Sequence, residues 1–488
     1  MDWLRSTVRS ALLLVLLTGC AFSLEAHSRK HSERVTDVEM TAARATLRTL
    51  LDTRQHGAAA TYRQLGLMAG PAVQAFYANQ GYTTHWIQET GWNSRARQAL
   101  ALLGRAADVG LSPSRYAWAT LQAFPDSLQQ TGGTSRSKQL ALSELRLTDA
   151  LLRYTTHLRQ GYLLPETLTP APPADSLTAG PTAGLLQQAL LAPDFATALL
   201  RNQPSTRAYR LLQGAWVRSL HASPTDSARL MQDTTAGFRR VALNLERLRW
   251  AAPADSEYAV VNIPAYRLQL IRNGQVIQTH RVIVGKPESP TPVLSSRIVV
   301  FVTSPEWRVP YSIAVREFLP ALQRDPSYLY DNHYRMYDGR GRQINPWRVN
   351  WQKMTPEKFP YAIRQRAGSF NALGSVVFYF PNQQTVFLHD TPARSAFSRT
   401  DRALSHGCVR VEKPFKLAEY LLRRENRVKE LTGMYQSVRE QEKQRFDLQR
   451  SLTIYLRYYT CETDNGRLVF LPDIYHQDSL LAAALFGQ

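Results

Sequence analysis

Apolar positions follow a helical period over the first half of the chain and a strand period over much of the second. From Thr61 to Pro165 the pattern is helical, with Leu142, Leu145, Thr148 and Leu152 on one face by i, i+3 and i+7 steps. Ser112-Pro113, just after Gly110-Leu111, reads as an N-cap followed by proline at the first helical position. Asp126 to Lys138 is rich in Ser, Gly and Thr and reads as a loop between helices. Pro170 to Pro181 holds four prolines and reads as a linker. Helices resume from Leu185 to Ala222. Phe238, Val241, Leu245 and Leu248 then form an apolar stripe flanked by Arg239, Arg240, Arg247 and Arg249, which reads as core.

The period changes at Tyr258. Tyr258–Pro264 predicts a strand, and Tyr266–Ile271 with Val276 onward predicts a hairpin around Asn273-Gly274. His280–Val284 continues that strand, and Arg297–Thr303 adds another. Ala314–Leu322 returns to helix. Tyr328–Arg366 is aromatic, basic and aperiodic, and reads as an insertion between strands. Ser375–Phe380 and Thr385–Leu388 predict a second hairpin, ending at His389. From Pro414 a helical pattern through Leu417, Leu421 and Leu422 predicts helix to about Arg450. Ser451–Thr463 and Arg467–Tyr475 predict a closing hairpin around Asp464-Asn465-Gly466.

A helical half followed by a β-rich half makes the chain α+β, and 488 residues are enough for two or three units with real cores. Arg5 and Arg9 precede a short apolar run from Ala11 to Leu17, the outline of a signal peptide. The run ends in Leu17-Thr18-Gly19-Cys20, similar to the lipobox of bacterial lipoproteins, so Cys20 is the expected lipidation site. The expected organisation is a signal peptide over 1–20, a tether over 21–58, a helical domain over 59–165 and a linker with helices over 166–252. A mainly β domain over 253–475 follows, with an insertion at about 314–370 and a tail over 476–488. The net charge of +20 suits contact with an anionic envelope, and no phosphate loop or nucleic-acid motif accompanies it.

Of three cysteines, Cys20 belongs to the processing site, so no disulfide framework is expected. Cys461 sits in a predicted strand and reads as packing. Cys408 follows His406-Gly407 in a loop ahead of a helix. Acyl transfer needs a thiol, an imidazole to take its proton and backbone N–H groups for the oxyanion. Cys408 supplies the first. His389, on the rigid end of a hairpin strand, supplies the second. Gly407 permits the tight turn the third requires. His406 has two readings, a second proton acceptor or a loop residue shaping that turn, and the latter is preferred because a side chain two residues before Cys408 rarely folds back to it. Arg410 is a candidate for holding a substrate carboxylate or lowering the Cys408 pKa. No paired cysteine spacing suits zinc, and no metal or organic cofactor is expected.

Ser405-His406-Gly407-Cys408-Val409-Arg410, with His389 nineteen residues before the cysteine, resembles the signature of the L,D-transpeptidase family. Val261-Asn262-Ile263-Pro264, Val284-Gly285-Lys286, Pro290-Thr291-Pro292, Trp307-Arg308-Val309-Pro310, Asn371-Ala372-Leu373-Gly374 and Leu388-His389-Asp390-Thr391-Pro392 extend the likeness. It is to the large Gram-negative subgroup, in which a helical scaffold domain precedes a β-sandwich-like catalytic domain with a capping insertion. Phe76-Tyr77 through Trp86 and Leu147-Thr148-Asp149-Ala150 resemble the scaffold. His389-Asp390 replaces the more common His-Gly, a form that suits the subgroup. The Gly-rich turn of the wall-binding modules often found in such proteins is missing around 205–238.

The resemblance implies a Cys408 acyl-enzyme with a peptidoglycan tetrapeptide stem, release of D-Ala and a 3→3 cross-link. It also implies substrate contacts at Ser405, Asn371, Trp307 and Arg410, and trapping by carbapenem-type β-lactams. Expected partners are therefore peptidoglycan stems and, through Cys20, a membrane, with no nucleic acid. The expected state is a monomer in the cell envelope. The same acyl-enzyme resolved by water would make an L,D-carboxypeptidase, and resolved by a protein lysine a wall-anchoring transferase. The other class is a non-catalytic wall-binding lipoprotein, which has no need of the full Cys408, His389 and Arg410 set.

Overall fold

A computed structural model describes residues 37–488 apart from 53–56, 89–90, 132, 169–179, 233–236, 251–254 and 488. The signal-peptide segment with Cys20, and nearly all of the proline-rich linker, lie outside the described residues. The chain divides into two compact units, Met1–Gln203 and Pro204–Gln488.

The first unit is helical. The 28-residue helix Gly133–Gln160 supplies Leu140, Leu145, Leu151, Leu152 and Leu158 to its core. The expected tether is in part structural: helix Asp37–Leu50 buries Ala43 and Leu47 in the same core. Its apolar stripe is one residue wide between Arg, Thr and Glu, which hid it from periodicity. The expected loop over 126–138 is largely helix, Phe124–Gln129 and then Gly133 onward. Helices Gly180–Leu191 and Phe195–Leu200 also belong here, since Leu186, Phe195 and Leu199 enter this core. A buried carboxylate ties the helices to a short hairpin. Glu144 accepts the backbone N–H of His85, Trp86 and Ile87 and the Tyr77 hydroxyl.

In the second unit, strands are numbered β1 Glu257–Asn262, β2 Arg267–Arg272, β3 Gln275–Gly285, β4 Leu294–Thr303, β5 Trp307–Arg308, β6 Tyr334–Tyr337, β7 Gln343–Ile344, β8 Ala362–Gln365, β9 Val376–Tyr379, β10 Leu388–His389, β11 Ala403–Ser405, β12 Val409–Val411, β13 Gln444–Arg457, β14 Cys461–Asp464 and β15 Arg467–Phe470. The main sheet runs β11-β3-β12-β10-β9-β4-β13-β1-β2, and β2 also pairs with β3, so the sheet closes on itself. Ala259, Val261, Leu268, Leu270, Phe301 and Phe378 point inward with Leu417, Leu421 and Leu422 of helix Phe415–Arg423. The β2–β3 turn places Asn273 and Gly274 at φ 50° and 74°, the left-handed pair an Asn-Gly hairpin demands. Phe238, Val241, Leu245 and Leu248 are buried along helix Phe238–Trp250.

Four expectations for this unit change. Helix ends at Glu440, and Gln444–Arg450 is already strand. β13 alternates inward Leu452, Ile454 and Leu456 between β4 and β1, so the closing hairpin is only β14–β15. The expected tail forms helix Gln477–Phe486, which buries Leu481 and Leu485 and pairs Asp478 with Arg247 at 2.6 Å. The insertion has its own four-stranded sheet, β5-β8-β6-β7, and its own core around Phe318, Leu322, Met336, Trp351 and Ile363. It therefore begins at Trp307, earlier than position 314.

Candidate active site

β10 and β12 lie side by side and parallel, with Leu388 level with Val409 and His389 level with Arg410. Cys408 is the residue just before β12. Its loop is closed by Ser405, whose Oγ donates to the Cys408 carbonyl at 2.5 Å and accepts the Gly407 N–H at 3.2 Å. Gly407 has φ +110°, a conformation that side-chain-bearing residues rarely adopt. Its carbonyl accepts Thr291 Oγ1 at 2.8 Å, and Thr291 Oγ1 in turn accepts the Gly285 N–H at 2.8 Å. The loop is thus tied to the end of β3. A Cβ on Gly285 would lie 2.1 Å from the Ser289 carbonyl oxygen, so that tie needs glycine.

Cys408, His389, Arg410, Ser405, His406 and Trp307 share one cavity of about 640 Å³, within the roughly 300–1,000 Å³ of ligand pockets. The insertion supplies one wall through Ile313, Phe318 and Tyr334, and Lys286, Glu288 and Arg316 add charge. His406 pairs through Nε2 with Glu317 at 2.5 Å. Asn371 does not line the cavity. It is fully buried, donates to the carbonyls of Pro305 and Arg366, and accepts the Leu373 N–H, so it shapes the loop behind the wall.

Burial, with the Arg410 cation adding to it, lowers the His389 pKa to about 3. The ring is therefore neutral at ordinary pH. Its Nδ1 is buried without a hydrogen bond. Burial raises the Cys408 thiol, and the Phe387 backbone N–H and Arg410 partly oppose this. The resting pair is thus thiol and neutral imidazole, not thiolate and imidazolium. Arg410 keeps its Nε buried without a partner beside them. Cys461, 1% exposed, has its thiol pushed up to about 12, the behaviour of an inert packing cysteine. Among the described residues no cluster of His, Cys, Asp and Glu suits a metal ion, and no helix is long and apolar enough to cross a membrane.

Sequence reading did not single out Glu317. It lies 89 residues from His406 on a short predicted helix, and only the fold brings the two together. Thr291 carried a fainter signal, a hydroxyl fixed between Pro290 and Pro292.

Comparison with known proteins agrees with this geometry. Residues 256–429 match the family model of the L,D-transpeptidase catalytic domain, and residues 71–215 match that of the Scaffold domain. A Haemophilus influenzae protein provisionally described as an L,D-transpeptidase is 37% identical over 240 residues, 49% of this chain and 48% of its own. The chain thus spans about half the length of that relative. Among solved structures, an L,D-transpeptidase from Mycobacterium smegmatis aligns over 41% of this chain and 58% of its own, at 11% identity and a TM-score of 0.20. L,D-transpeptidase 1 of Mycobacterium tuberculosis aligns over 42% and 62%, at 13% identity and a TM-score of 0.16. At such scores neither likeness adds weight. The two family matches and the shared cavity of Cys408, His389 and Arg410 lead to one assignment: the chain joins a scaffold domain to a catalytic domain of the L,D-transpeptidase family.

Proposed function

We propose that this protein is a peptidoglycan L,D-transpeptidase with Cys408 as nucleophile and His389 as base. The observation that carries this reading is a neutral imidazole with an unpartnered Nδ1 in the same buried cavity as a lone thiol. The ring is unprotonated and free to accept, and the thiolate forming beside it, an anion, raises the basicity that burial and Arg410 hold down at rest.

In the proposed reaction the Cys408 proton passes to His389 as Sγ attacks the carbonyl of the third stem residue. The Gly407 N–H is taken by Ser405. The oxyanion therefore falls to the Cys408 N–H, which has no acceptor among the described residues. Such a donor is worth about 10²–10³ in rate. The C–N bond to D-Ala then breaks, and His389 returns its proton to the leaving amine. A second stem's amine attacks the thioester, gives its proton to His389 and frees the thiol, leaving a 3→3 cross-link. Arg410 stabilises the thiolate as it forms, and the remaining cavity groups, Trp307 among them, hold the stem, while Ser405 spends its hydroxyl on the nucleophile loop. The envelope location and the lipid anchor at Cys20 belong to the same proposal.

Intact-protein mass after mixing with a carbapenem tests it. One covalent adduct is expected on wild type and none on Cys408→Ala. A folded wild-type protein that stays unmodified sinks the reading and favours a non-catalytic wall-binding role.

A further inference from the structure

A second cavity of about 380 Å³ lies in the same unit, away from Cys408, on the outer face of the closed sheet. Its floor follows from strand alternation. Residues facing the core leave Tyr258, Val260 and Asn262 of β1, Arg267, Gln269 and Ile271 of β2, and Tyr455 and Arg457 of β13 pointing outward. Pairing registers set them in rows: Arg267, Asn262 and Arg457 in one, Gln269, Val260 and Tyr455 in the next, Ile271 and Tyr258 in the third. The floor therefore grades from polar to aromatic. Helix Arg207–Leu220 forms one wall, with Leu211 lining the cavity. β14 and its turn form the other, with Glu462 and Asp464.

The floor holds unused polar capacity. Arg267 Nε is shielded from solvent and has no hydrogen-bond partner. The Gln269 side chain has none among the described residues. Glu462 accepts from Arg267 and from Asn262 at 3.1 Å, and keeps further lone pairs. Glu462 and Asp464 oppose an anion, while Arg207 and Arg457 in the same lining oppose a cation, so the cavity favours neither charge. A wholly apolar ligand would leave Arg267 and Gln269 unpaired. A pyranose answers both demands, because its hydroxyls donate and accept while its C–H face meets Val260 and Leu211.

We propose that this cavity binds a neutral sugar segment of one or two pyranose rings, a glycan subsite separate from the peptide site at Cys408. Identifying that sugar with the N-acetylated glycan of peptidoglycan rests on the functional reading above. The subsite would hold the polymer strand while its stem reaches the catalytic cavity.

The test is calorimetric titration of the full-length protein with tetra-N-acetylchitotetraose. Wild type is compared with Gln269→Leu, which removes the free amide, and Leu211→Trp, which fills the cavity from a partly exposed helix position. Melting temperatures confirm folding. The proposal expects saturable binding to wild type that weakens tenfold or more in both variants. No binding at millimolar sugar, equal binding in all three proteins, or displacement of the sugar by a free tetrapeptide stem overturns it. Wild type that forms the carbapenem adduct but fails to bind sugar sinks the subsite alone. Wild type that binds sugar but resists the carbapenem sinks the transpeptidase reading alone.

Discussion

At Cys408 the local field works against ionisation. Burial raises the thiol, while the same burial and Arg410 keep His389 neutral down to about pH 3. Thiolate is then made during attack and is scarce at rest. Alkylation of Cys408 by iodoacetamide is therefore expected to climb about tenfold per pH unit from pH 6 to 9, with no inflection from His389 above pH 4. Mass spectrometry of the modified peptide reads the rate, and a plateau near pH 6–7 would mean a preformed thiolate–imidazolium pair. Arg410 favours thiolate, so Arg410→Met should slow alkylation at pH 8 by up to about tenfold, one pKa unit. Arg410→Lys, which keeps the charge, should recover most of the rate. A Met variant as fast as wild type would remove Arg410 from thiol activation. The candidate pair was legible because acyl transfer needs a thiol, a base and a permissive glycine, and these are residue types. The protonation state was not legible, since it depends on burial that only the closed sheet creates.

At the scale of elements, the insertion and the nucleophile loop meet through Glu317 and His406. Glu317 sits in a π-helical turn, Ala314–Phe318, a form common at functional positions. Both side chains are partly exposed, so the pair is worth about 0.2–1 kcal/mol. Glu317→Ala is expected to raise amide hydrogen exchange over residues 311–324 by up to roughly fivefold. Alkylation of Cys408 by a small reagent should change less than twofold. Unchanged exchange would show that other contacts hold the insertion in place. Strand pairs with local turns, β2–β3 at Asn273-Gly274 and β9–β10 ending at His389, were readable from alternation. β13 was not. Its first half, Gln444–Arg450, is so charged that it imitates a solvated helix, and its partners β4 and β1 lie far away in sequence. Asn371 shows the same limit in reverse. A polar residue in a family-like motif looks like a substrate contact until its amide is found spent on backbone carbonyls.

Across the whole molecule, each unit has its own core, so damage to one should leave the chemistry of the other intact. Glu144 is the sharpest place to test this. Burial raises its pKa to about 7, against the lowering effect of three backbone N–H groups and the Tyr77 hydroxyl. A carboxyl with a raised folded-state pKa contributes most below its unfolded value of 4.5 and loses that contribution as pH rises through 7. The loss is at most about 3 kcal/mol. Glu144→Gln cannot titrate, and its NH₂ replaces one acceptor that faces N–H donors, a cost of about 1–3 kcal/mol. The variant should therefore melt below wild type at pH 4.5, with the gap narrowing towards pH 7, while carbapenem acylation of Cys408 at low temperature stays at the wild-type rate. Melting curves at four pH values read the gap. A gap constant with pH would mean Glu144 is ionised throughout, its hydrogen bonds outweighing burial. Lost acylation in a folded variant would mean the scaffold unit sets the geometry of the catalytic one.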